Sequence, residues 1–428
     1  MPVTQTSPPP LITGPAPGRL TPAAKNLRIA TALGPAFVAA IAYLDPGNFA
    51  TNFAAGSSTG YALVWVVVLA NVVAMPIQYL AAKLGIVTGQ SLPQLCRATM
   101  GRRGRWVMWG QAEIVAMATD LAEFVGAAVG LNLLFGMPLP LAAIVTAVLA
   151  FAILAFQRRG HRPFELAVGA MLALICAGFL YTTLRIPPSA TGVLGGLVPT
   201  FAGDDTLLLA VGIIGATVMP HAIYLHSGLM SNRVGVSGDT CRTRMLHFAR
   251  VDIGIAMGIA GLVNLSMLAI AAKIFHAGPG TPAIGLDEVH HRFAETVGGS
   301  VALAFAAALL ASGISSSSVG TAAGQIIMDG FLNLRIATWL RRAVTMAPAV
   351  VLLMSGLDPT RALVLSQVTL SFGIPFALGA LLWLTSRRDI MGEHVSTRAM
   401  TAGMGTVVAV LSGLNLMLLG QQLLAWLS

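Results

Sequence analysis

The chain has 428 residues, of which 56% are hydrophobic and only 10% charged, with a formal net charge of +9. Soluble proteins carry about 25% charged residues, so the composition excludes an ordinary soluble globular protein. The three cysteines lie far apart in the chain, which argues against a disulfide framework or a cysteine metal site.

The first 29 residues are rich in proline, threonine and alanine, as in the stretch TQTSPPPLITGPAPG. This composition predicts a disordered cytoplasmic tail over residues 1–29. The tail has no basic stretch followed by a short apolar core and a cleavage site, so we expect no removable signal peptide. Residues 30–428 are predicted to form one transmembrane domain.

Long apolar stretches recur from Thr31 to the C terminus, and most of them contain around 20 residues or more. Such stretches predict membrane-spanning helices, so the expected fold class is an all-α polytopic membrane protein. Eleven spans are predicted, with approximate limits 31–56, 61–88, 106–131, 138–156, 164–184, 206–230, 251–274, 299–330, 339–356, 361–385 and 400–427.

Lysine and arginine are distributed unevenly between the two sides of the membrane that these spans define. The side that carries the N terminus holds 21 of the 25 basic residues. Because basic residues collect on the cytoplasmic side, we predict a cytoplasmic N terminus and an external C terminus in the inner (plasma) membrane. Topology thus explains the positive net charge, and we expect no nucleic-acid partner.

The stretch YLDPGNFATN, residues 43–52, interrupts the first span. An aspartate near the bilayer centre costs about 2.5–3.5 kcal/mol on insertion scales, and Pro46 removes a backbone donor. Unwound backbone at membrane depth is tolerated where it is buried in protein or lines a cavity. We therefore expect Asp45 and Asn48 to face a cavity, beside carbonyls freed near Ala42. The alternative is a proline kink in which Asp45 bonds to a neighbouring helix.

A second break, in GIIGATVMPHAIYLHS, falls at a matching depth in span six, where Met219 precedes Pro220. Paired broken helices indicate an inverted repeat with a binding site at the midplane. The predicted repeats are five spans each, about 31–185 and 206–385. The eleventh helix, about 400–427, lies outside them.

The side chains at the two breaks combine hard and soft ligands. Asp45 offers an anionic oxygen, Asn48 a neutral oxygen and Met219 a thioether sulfur. Oxygen suits hard cations and sulfur suits softer transition metals, so the mixture predicts a divalent ion such as Mn²⁺ or Fe²⁺. Ca²⁺ and Mg²⁺ prefer all-oxygen shells. The alternative for Met219 is packing, the more common role of methionine in an apolar helix.

Span three carries three acids, Glu113, Asp120 and Glu123, at offsets that place them on one broad helical face. Acids inside the membrane are functional candidates by default and often relay protons. The alternative is a structural ion-pair network with a cytoplasmic arginine. His221, beside the second break, can change charge near physiological pH, whereas His226 is expected to be a buried hydrogen-bonded histidine.

The two interrupted motifs, DPGNFATN and MPHAIYLHS, resemble the signature motifs of the Nramp family, the proton-coupled divalent-metal transporters. Three further stretches are also similar to this family: AEIVAMATDLAEFVGAA, QRRGHRPFELAVGA and LSQVTLSFGIPFAL. The resemblance covers the whole membrane region and implies the LeuT-like fold, with helices 1 and 6 discontinuous.

The same resemblance implies a metal site made of side chains at the breaks, two backbone carbonyls and a glutamine of span ten: Asp45, Asn48, Met219, Ala42, Ala216 and Gln367. It implies a proton route through Asp120, Glu123 and His221, with Arg342 as their partner. One departure is visible, because many family members have asparagine where this chain has Ala222. This changes the polar lining beside His221 and leaves the metal ligands intact.

The expected function is import of Mn²⁺, and also of Fe²⁺ and Cd²⁺, into the cytoplasm with proton cotransport by alternating access. We expect no enzymatic activity, no cofactor and no obligate protein partner; the partners are the metal ions, protons and the lipid bilayer. Two alternatives remain. One is a sodium-coupled amino-acid carrier of the same fold. The other is a membrane-embedded enzyme with a catalytic ion on His221, His226 and Asp45.

Overall fold

The structure is a computed structural model that describes residues 40–157, 161–200, 206–231, 239–278, 280–334 and 336–427. The predicted tail and residues 31–39 of the first span lie outside these ranges. The described residues form helices and connecting loops, without a β-strand. The helices are α1 (Pro46–Thr59), α2 (Val64–Thr88), α3 (Leu92–Thr99), α4 (Arg102–Phe135), α5 (Leu139–Gln157), α6 (His161–Arg185), α7 (Ala190–Gly195), α8 (Thr206–Thr217), α9 (Pro220–Ser231), α10 (Asp239–Ile274), α11 (Leu286–Thr296), α12 (Gly299–Leu332), α13 (Thr338–Met354), α14 (Pro359–Thr385), α15 (Arg388–Met391) and α16 (Arg398–Leu427).

Seven described helical stretches are long and apolar enough to cross a membrane. They are Val64–Thr88, Arg102–Phe135, Thr206–Ser231, Arg242–Ile274, Gly299–Leu332, Pro359–Thr385 and Arg398–Gln421. Two shorter apolar stretches, Leu139–Ala152 and Gly169–Arg185, coincide with the predicted spans four and five. The count of eleven spans and the limits of the two repeats stay predictions.

The helices around the centre of the molecule approach one another closely at glycines. Helices α12 and α4 pack together, and a Cβ atom on Gly313 of α12 would lie 2.6 Å from the backbone nitrogen of Ala127 in α4. A Cβ atom on Gly126 of α4 would lie 2.0 Å from the Cβ of Pro46, the first residue of α1. Small residues permit such contacts between membrane helices. They bring the acidic helix α4 against the first helix break.

The first break lies where the chain turns at residues 43–45, between a helical segment at 40–42 and α1. Asp45 is the N-cap of α1, and its Oδ1 accepts a hydrogen bond from the Asn48 backbone N–H at 2.8 Å. Pro46 follows at the first helical position, where its missing N–H costs nothing. The same residues that end one helical segment therefore begin the next.

The second break separates α8, which ends at Thr217, from α9, which begins at Pro220. Val218 and Met219 occupy the gap, and both are buried. Pro220 again stands at a helix start, so the two breaks have the same local construction. Helix α8 packs against both α1 and α14, which brings the two breaks and span ten into one region.

Candidate metal site

Asn48 links the two helix breaks through its side-chain amide. Its Nδ2 donates to Asp45 Oδ1 at 2.8 Å and to the Ala216 carbonyl oxygen at 3.0 Å. In an unbroken helix the Ala216 carbonyl would accept from residue 220, but Pro220 has no N–H to donate. The carbonyl is therefore freed by the proline and points to the residues of the first break, as the resemblance implied for a ligand.

Gln367 of α14 is the third element of this arrangement. Its Nε2 donates to Asp45 Oδ2 at 3.4 Å and to Ser366 Oγ at 3.2 Å. Gly47 makes room for it, because a Cβ atom there would lie 1.8 Å from Gln367 Nε2. Chemical reasoning on the breaks missed Gln367, which only the family resemblance supplied. A polar amide inside an apolar span was the local signal that could have found it.

The centre of this arrangement contains oxygen atoms without hydrogen-bond donors. Asp45, Asn48, Met219 and Gln367 are all buried. Asn48 Oδ1 and Gln367 Oε1 have no hydrogen-bond partner among the described residues. A buried acceptor left unpaired costs about 1–3 kcal/mol. Two orphaned amide oxygens beside a carboxylate form an oxygen ligand set that suits a divalent cation as substrate, and the buried Met219 lies at the second break, three residues after Ala216.

A clustered His, Cys, Asp and Glu site does not occur in the described part of the chain. No group of three or more of these side chains there could hold a metal ion. His226 instead lies with its Nδ1 at 2.8 Å from Gln78 Oε1, and Gln78 Nε2 donates to the Tyr43 hydroxyl at 2.5 Å. This hydrogen-bonded surrounding matches the sequence expectation for His226 and argues against a catalytic ion on His221, His226 and Asp45.

His221 lies in the first turn of α9 and contacts the acidic helix α4. Its Nδ1 is 3.0 Å from Thr119 Oγ1, and that hydroxyl donates to the Val115 carbonyl at 3.0 Å. Because the Thr119 hydroxyl donates its hydrogen to the Val115 carbonyl, its oxygen can accept a hydrogen bond from His221 Nδ1–H. The neutral imidazole then keeps Nε2 free to take a proton. Asp120 follows Thr119 directly, so the histidine and the acids belong to one buried region.

The three acids of α4 have different surroundings. Glu123 is buried, and it packs on Gly320 of α12, where a Cβ atom would lie 2.7 Å from Glu123 Oε2. Glu113 forms an ion pair with Arg341 at 2.9 Å. For Glu113 the alternative of a structural ion pair therefore fits the geometry better than a proton role.

Arg342, which the resemblance implies as the partner of Asp120 and Glu123, forms its hydrogen bonds with α12. Its guanidinium donates to Ser317 and Thr321 of α12. The described residues contain no direct ion pair between Arg342 and either acid. Sequence reasoning could not separate Arg341 from Arg342, because neighbouring residues on a helix point about 100° apart and only packing fixes which one meets Glu113.

Comparison with known proteins matches these observations. Residues 36–421 match the family described as "Natural resistance-associated macrophage protein-like" (Nramp). The chain is 49% identical to the divalent metal cation transporter MntH of Deinococcus radiodurans over 384 residues, which cover 90% of this chain and 88% of the relative. It is 50% identical to the Mycobacterium tuberculosis MntH over 390 residues, with 90% of both chains covered.

Solved structures give the same result for the fold. A mutant of the Eremococcus coleocola manganese transporter superposes with a TM-score of 0.83 at 32% identity, covering 94% of this chain and 88% of that one. The predicted all-α, LeuT-like membrane fold is thereby confirmed, and the chain is an integral membrane protein. Together, the paired helix breaks and the family match over residues 36–421 identify this chain as a member of the Nramp family.

Proposed function

We propose that this chain is a secondary active transporter that imports divalent transition metal ions into the cytoplasm together with protons. Mn²⁺ is the foremost substrate, with Fe²⁺ and Cd²⁺ as further ones. The observation that supports this most is the buried Asp45 carboxylate, which lies beside two amide oxygens without donors at the junction of two proline-broken helices. Relatives named divalent metal cation transporter and a solved manganese transporter agree with it.

The metal ligands in this proposal are the Asp45 carboxylate, the amides of Asn48 and Gln367, the Met219 thioether and backbone carbonyls of Ala42 and Ala216. The incoming ion would replace the hydrogen bonds that Asn48 Nδ2 makes to Asp45 and Ala216. This exchange supplies two oxygens at once, because both acceptors are then free to face the ion. The sulfur of Met219 favours softer transition metals over Ca²⁺ and Mg²⁺.

The proton groups in this proposal are His221, Asp120 and Glu123, with Arg342 as the cationic partner of the two acids. Buried ionisable residues inside a membrane helix are typical of proton relays. His221 lies one residue after Pro220 and two after Met219, so a proton on its imidazole would lie near the bound cation. Repulsion between the two charges would favour movement of the proton away along α4, towards the side proposed to be cytoplasmic.

A sodium-coupled amino-acid carrier is the competing transport function. Such a carrier must bind the substrate carboxylate at the helix breaks, and the Asp45 carboxylate would repel it. An enzymatic role lacks support from the geometry as well. A catalytic metal needs an open coordination position and a general base beside it. We also propose the inner membrane as location, with the N terminus on the cytoplasmic side, from the distribution of basic residues.

The test uses purified full-length chain in sealed liposomes that contain a Mn²⁺-sensitive dye and a pH dye. We expect wild-type chain to admit Mn²⁺ and to acidify the interior in step with it. Asp45→Ala should abolish Mn²⁺ entry, whereas Asp287→Ala, which removes an exposed acid on α11, should leave it unchanged. Near-wild-type uptake by folded Asp45→Ala protein would show that this site does not carry the metal.

A further inference from the structure

Three consecutive carbonyls precede α1 at the first break, those of Ala42, Tyr43 and Leu44. In a continuous helix they would accept the N–H groups of residues 46, 47 and 48. Residue 46 is proline and has no N–H. The Asn48 N–H donates instead to the Asp45 carboxylate, which caps α1, and the described residues show no bond from the Gly47 N–H to the Tyr43 carbonyl. All three carbonyls therefore lose their helical donors in a buried region.

Side chains from two other helices replace the donors for two of these carbonyls. Asn264 of α10 donates from Nδ2 to the Tyr43 carbonyl at 2.9 Å. Ser312 of α12 donates from Oγ to the Leu44 carbonyl at 2.5 Å. Both donors are buried, with 1% and 0% of their surface exposed, so water cannot readily substitute for them. No described residue donates to the third carbonyl, that of Ala42.

Asn264 also contacts α1 through its amide oxygen. Its Oδ1 accepts from Asn52 Nδ2 at 3.2 Å, and Asn52 lies in α1 beyond the break. One amide side chain thus joins a residue of the break, Tyr43, to a residue of α1, Asn52. The position of the Tyr43 carbonyl is thereby fixed relative to α1, which carries Asn48.

We propose that Asn264 and Ser312 are positioning residues for metal binding. By binding the Tyr43 and Leu44 carbonyls, they leave Ala42 as the one carbonyl of the three that can turn to the ion. This inference rests on the proposed function, because it takes the metal to bind at Asp45. It adds the reason why an unwound segment with three freed carbonyls would contribute one oxygen to the metal and not two or three.

The number of oxygens has a consequence for ion selection. Ca²⁺ takes six to eight oxygen ligands in flexible geometry, whereas transition metals accept fewer and softer ones. If Ser312 is replaced, the Leu44 carbonyl is buried without a donor and becomes available to a cation. The site then gains an oxygen and loses its fixed geometry. Mn²⁺ affinity should fall while competition by Ca²⁺ should increase.

The experiment measures equilibrium Mn²⁺ binding to purified full-length chain by calorimetry, with and without Ca²⁺. Ser312→Ala is the test, and Ser316→Ala is the matched control. Ser316 lies one turn further along the same helix, is equally buried, and donates to the Ser312 carbonyl at 2.8 Å and not to the break. We expect Ser312→Ala to weaken Mn²⁺ binding about tenfold, the effect of one hydrogen bond of typical net strength.

A second variant, Asn264→Leu, removes the other donor with a side chain of similar volume. It should also lower the Mn²⁺ affinity and increase competition by Ca²⁺. Melting curves without metal verify that each variant is folded. A purely structural role would lower the melting temperature and leave the ratio of Mn²⁺ to Ca²⁺ affinity unchanged, and this result would overturn the inference. Equal Mn²⁺ affinities of Ser312→Ala and Ser316→Ala would also overturn the inference.

Asp45→Ala, measured in parallel, separates this inference from the proposed function. Loss of Mn²⁺ binding in Asp45→Ala, with Ser312→Ala equal to its control, overturns the positioning role alone. Wild-type binding by Asp45→Ala overturns the metal site itself, and the positioning role with it. Loss of Mn²⁺ binding in Asp45→Ala, together with a lower ratio of Mn²⁺ to Ca²⁺ affinity in Ser312→Ala, supports both the metal site and the positioning role.

Discussion

Gly47 offers a sharp test of the site, because a single methyl group there would collide with a proposed ligand. It is the second residue of α1, and a Cβ atom on it would lie 1.8 Å from Gln367 Nε2 and 2.2 Å from Gln367 Cδ. Such distances are far inside van der Waals contact. In Gly47→Ala the Gln367 side chain must therefore leave its place beside Asp45.

Two opposing contributions set the effect of Gly47→Ala on stability. Alanine is favoured over glycine inside a helix by about 0.5–1 kcal/mol. Against this, Gln367 loses its hydrogen bonds to Asp45 and Ser366, and a buried amide without partners costs about 1–3 kcal/mol. The free energy of unfolding should therefore fall by about 0–2.5 kcal/mol, which leaves the protein folded.

The effect on metal binding should be clearer than the effect on stability. Loss of one amide ligand to a charged group, worth about 1.5 kcal/mol, should weaken Mn²⁺ binding about tenfold in calorimetry. Gly110→Ala in α4 is the matched control, because a Cβ atom there meets nothing within 4 Å. It should bind Mn²⁺ as wild type does.

The double variant Gly47→Ala with Gln367→Ala decides the cause. If the methyl group acts by displacing Gln367, the double variant should bind Mn²⁺ as Gln367→Ala does, since nothing is left to displace. Additive losses from the two substitutions would refute this reasoning. Wild-type affinity in Gly47→Ala alone would refute it too, because Gln367 would then play no part in binding.

Three further outcomes are expected from other parts of the site. Asp120→Asn should impair metal-stimulated proton entry and flatten the pH dependence of Mn²⁺ uptake in liposomes; unchanged proton entry would contradict a relay role. Met219→Ala should weaken Cd²⁺ binding most, reduce Mn²⁺ transport and admit competition by Ca²⁺, whereas a packing role would lower stability with selectivity unchanged. Asn415→Leu leaves the Ser371 carbonyl without its donor, so thermal unfolding should show a loss of about 1–3 kcal/mol with Mn²⁺ affinity preserved.

The helix breaks could be predicted from the sequence because their cause is local. An aspartate, a proline and a glycine in an apolar run violate the rules for a membrane helix within a few residues. The metal chemistry proposed for the site rests on residues of the same two breaks, Asp45, Asn48 and Met219. The number of spans was a weaker inference, because α13 and parts of α5 and α6 are shorter or less apolar than a standard span.

Contacts between distant helices could not be predicted, because they depend on how each helix is rotated in the bundle. Gln367 reaches Asp45 across 322 residues of sequence, and Ser312 reaches Leu44 across 268. The serine-rich stretch SSSSVG at residues 315–320 is compatible with close helix packing, and nothing in it predicts a contact with the first break. Its neighbour Ser312 donates to the broken segment because the packing of α12 turns that side of the helix to the break.

Three prolines show that a binding site and a simple kink differ in whether the carbonyl freed by the proline finds another hydrogen-bond donor. Each removes the helical partner of the carbonyl four residues before it: Pro46 frees Ala42, Pro220 frees Ala216, and Pro375 frees Ser371. The Ser371 carbonyl accepts from Asn415 of α16 at 3.0 Å, so the carbonyl that Pro375 frees has a donor from a neighbouring helix. The Ala216 carbonyl accepts from Asn48, itself a proposed ligand, and the Ala42 carbonyl has no donor among the described residues.

A freed carbonyl with a dedicated donor holds helices together, whereas one whose donor is absent or displaceable can bind a cation. By this criterion the Ala42 and Ala216 carbonyls can serve as the proposed metal ligands, whereas the Ser371 carbonyl joins α14 to α16.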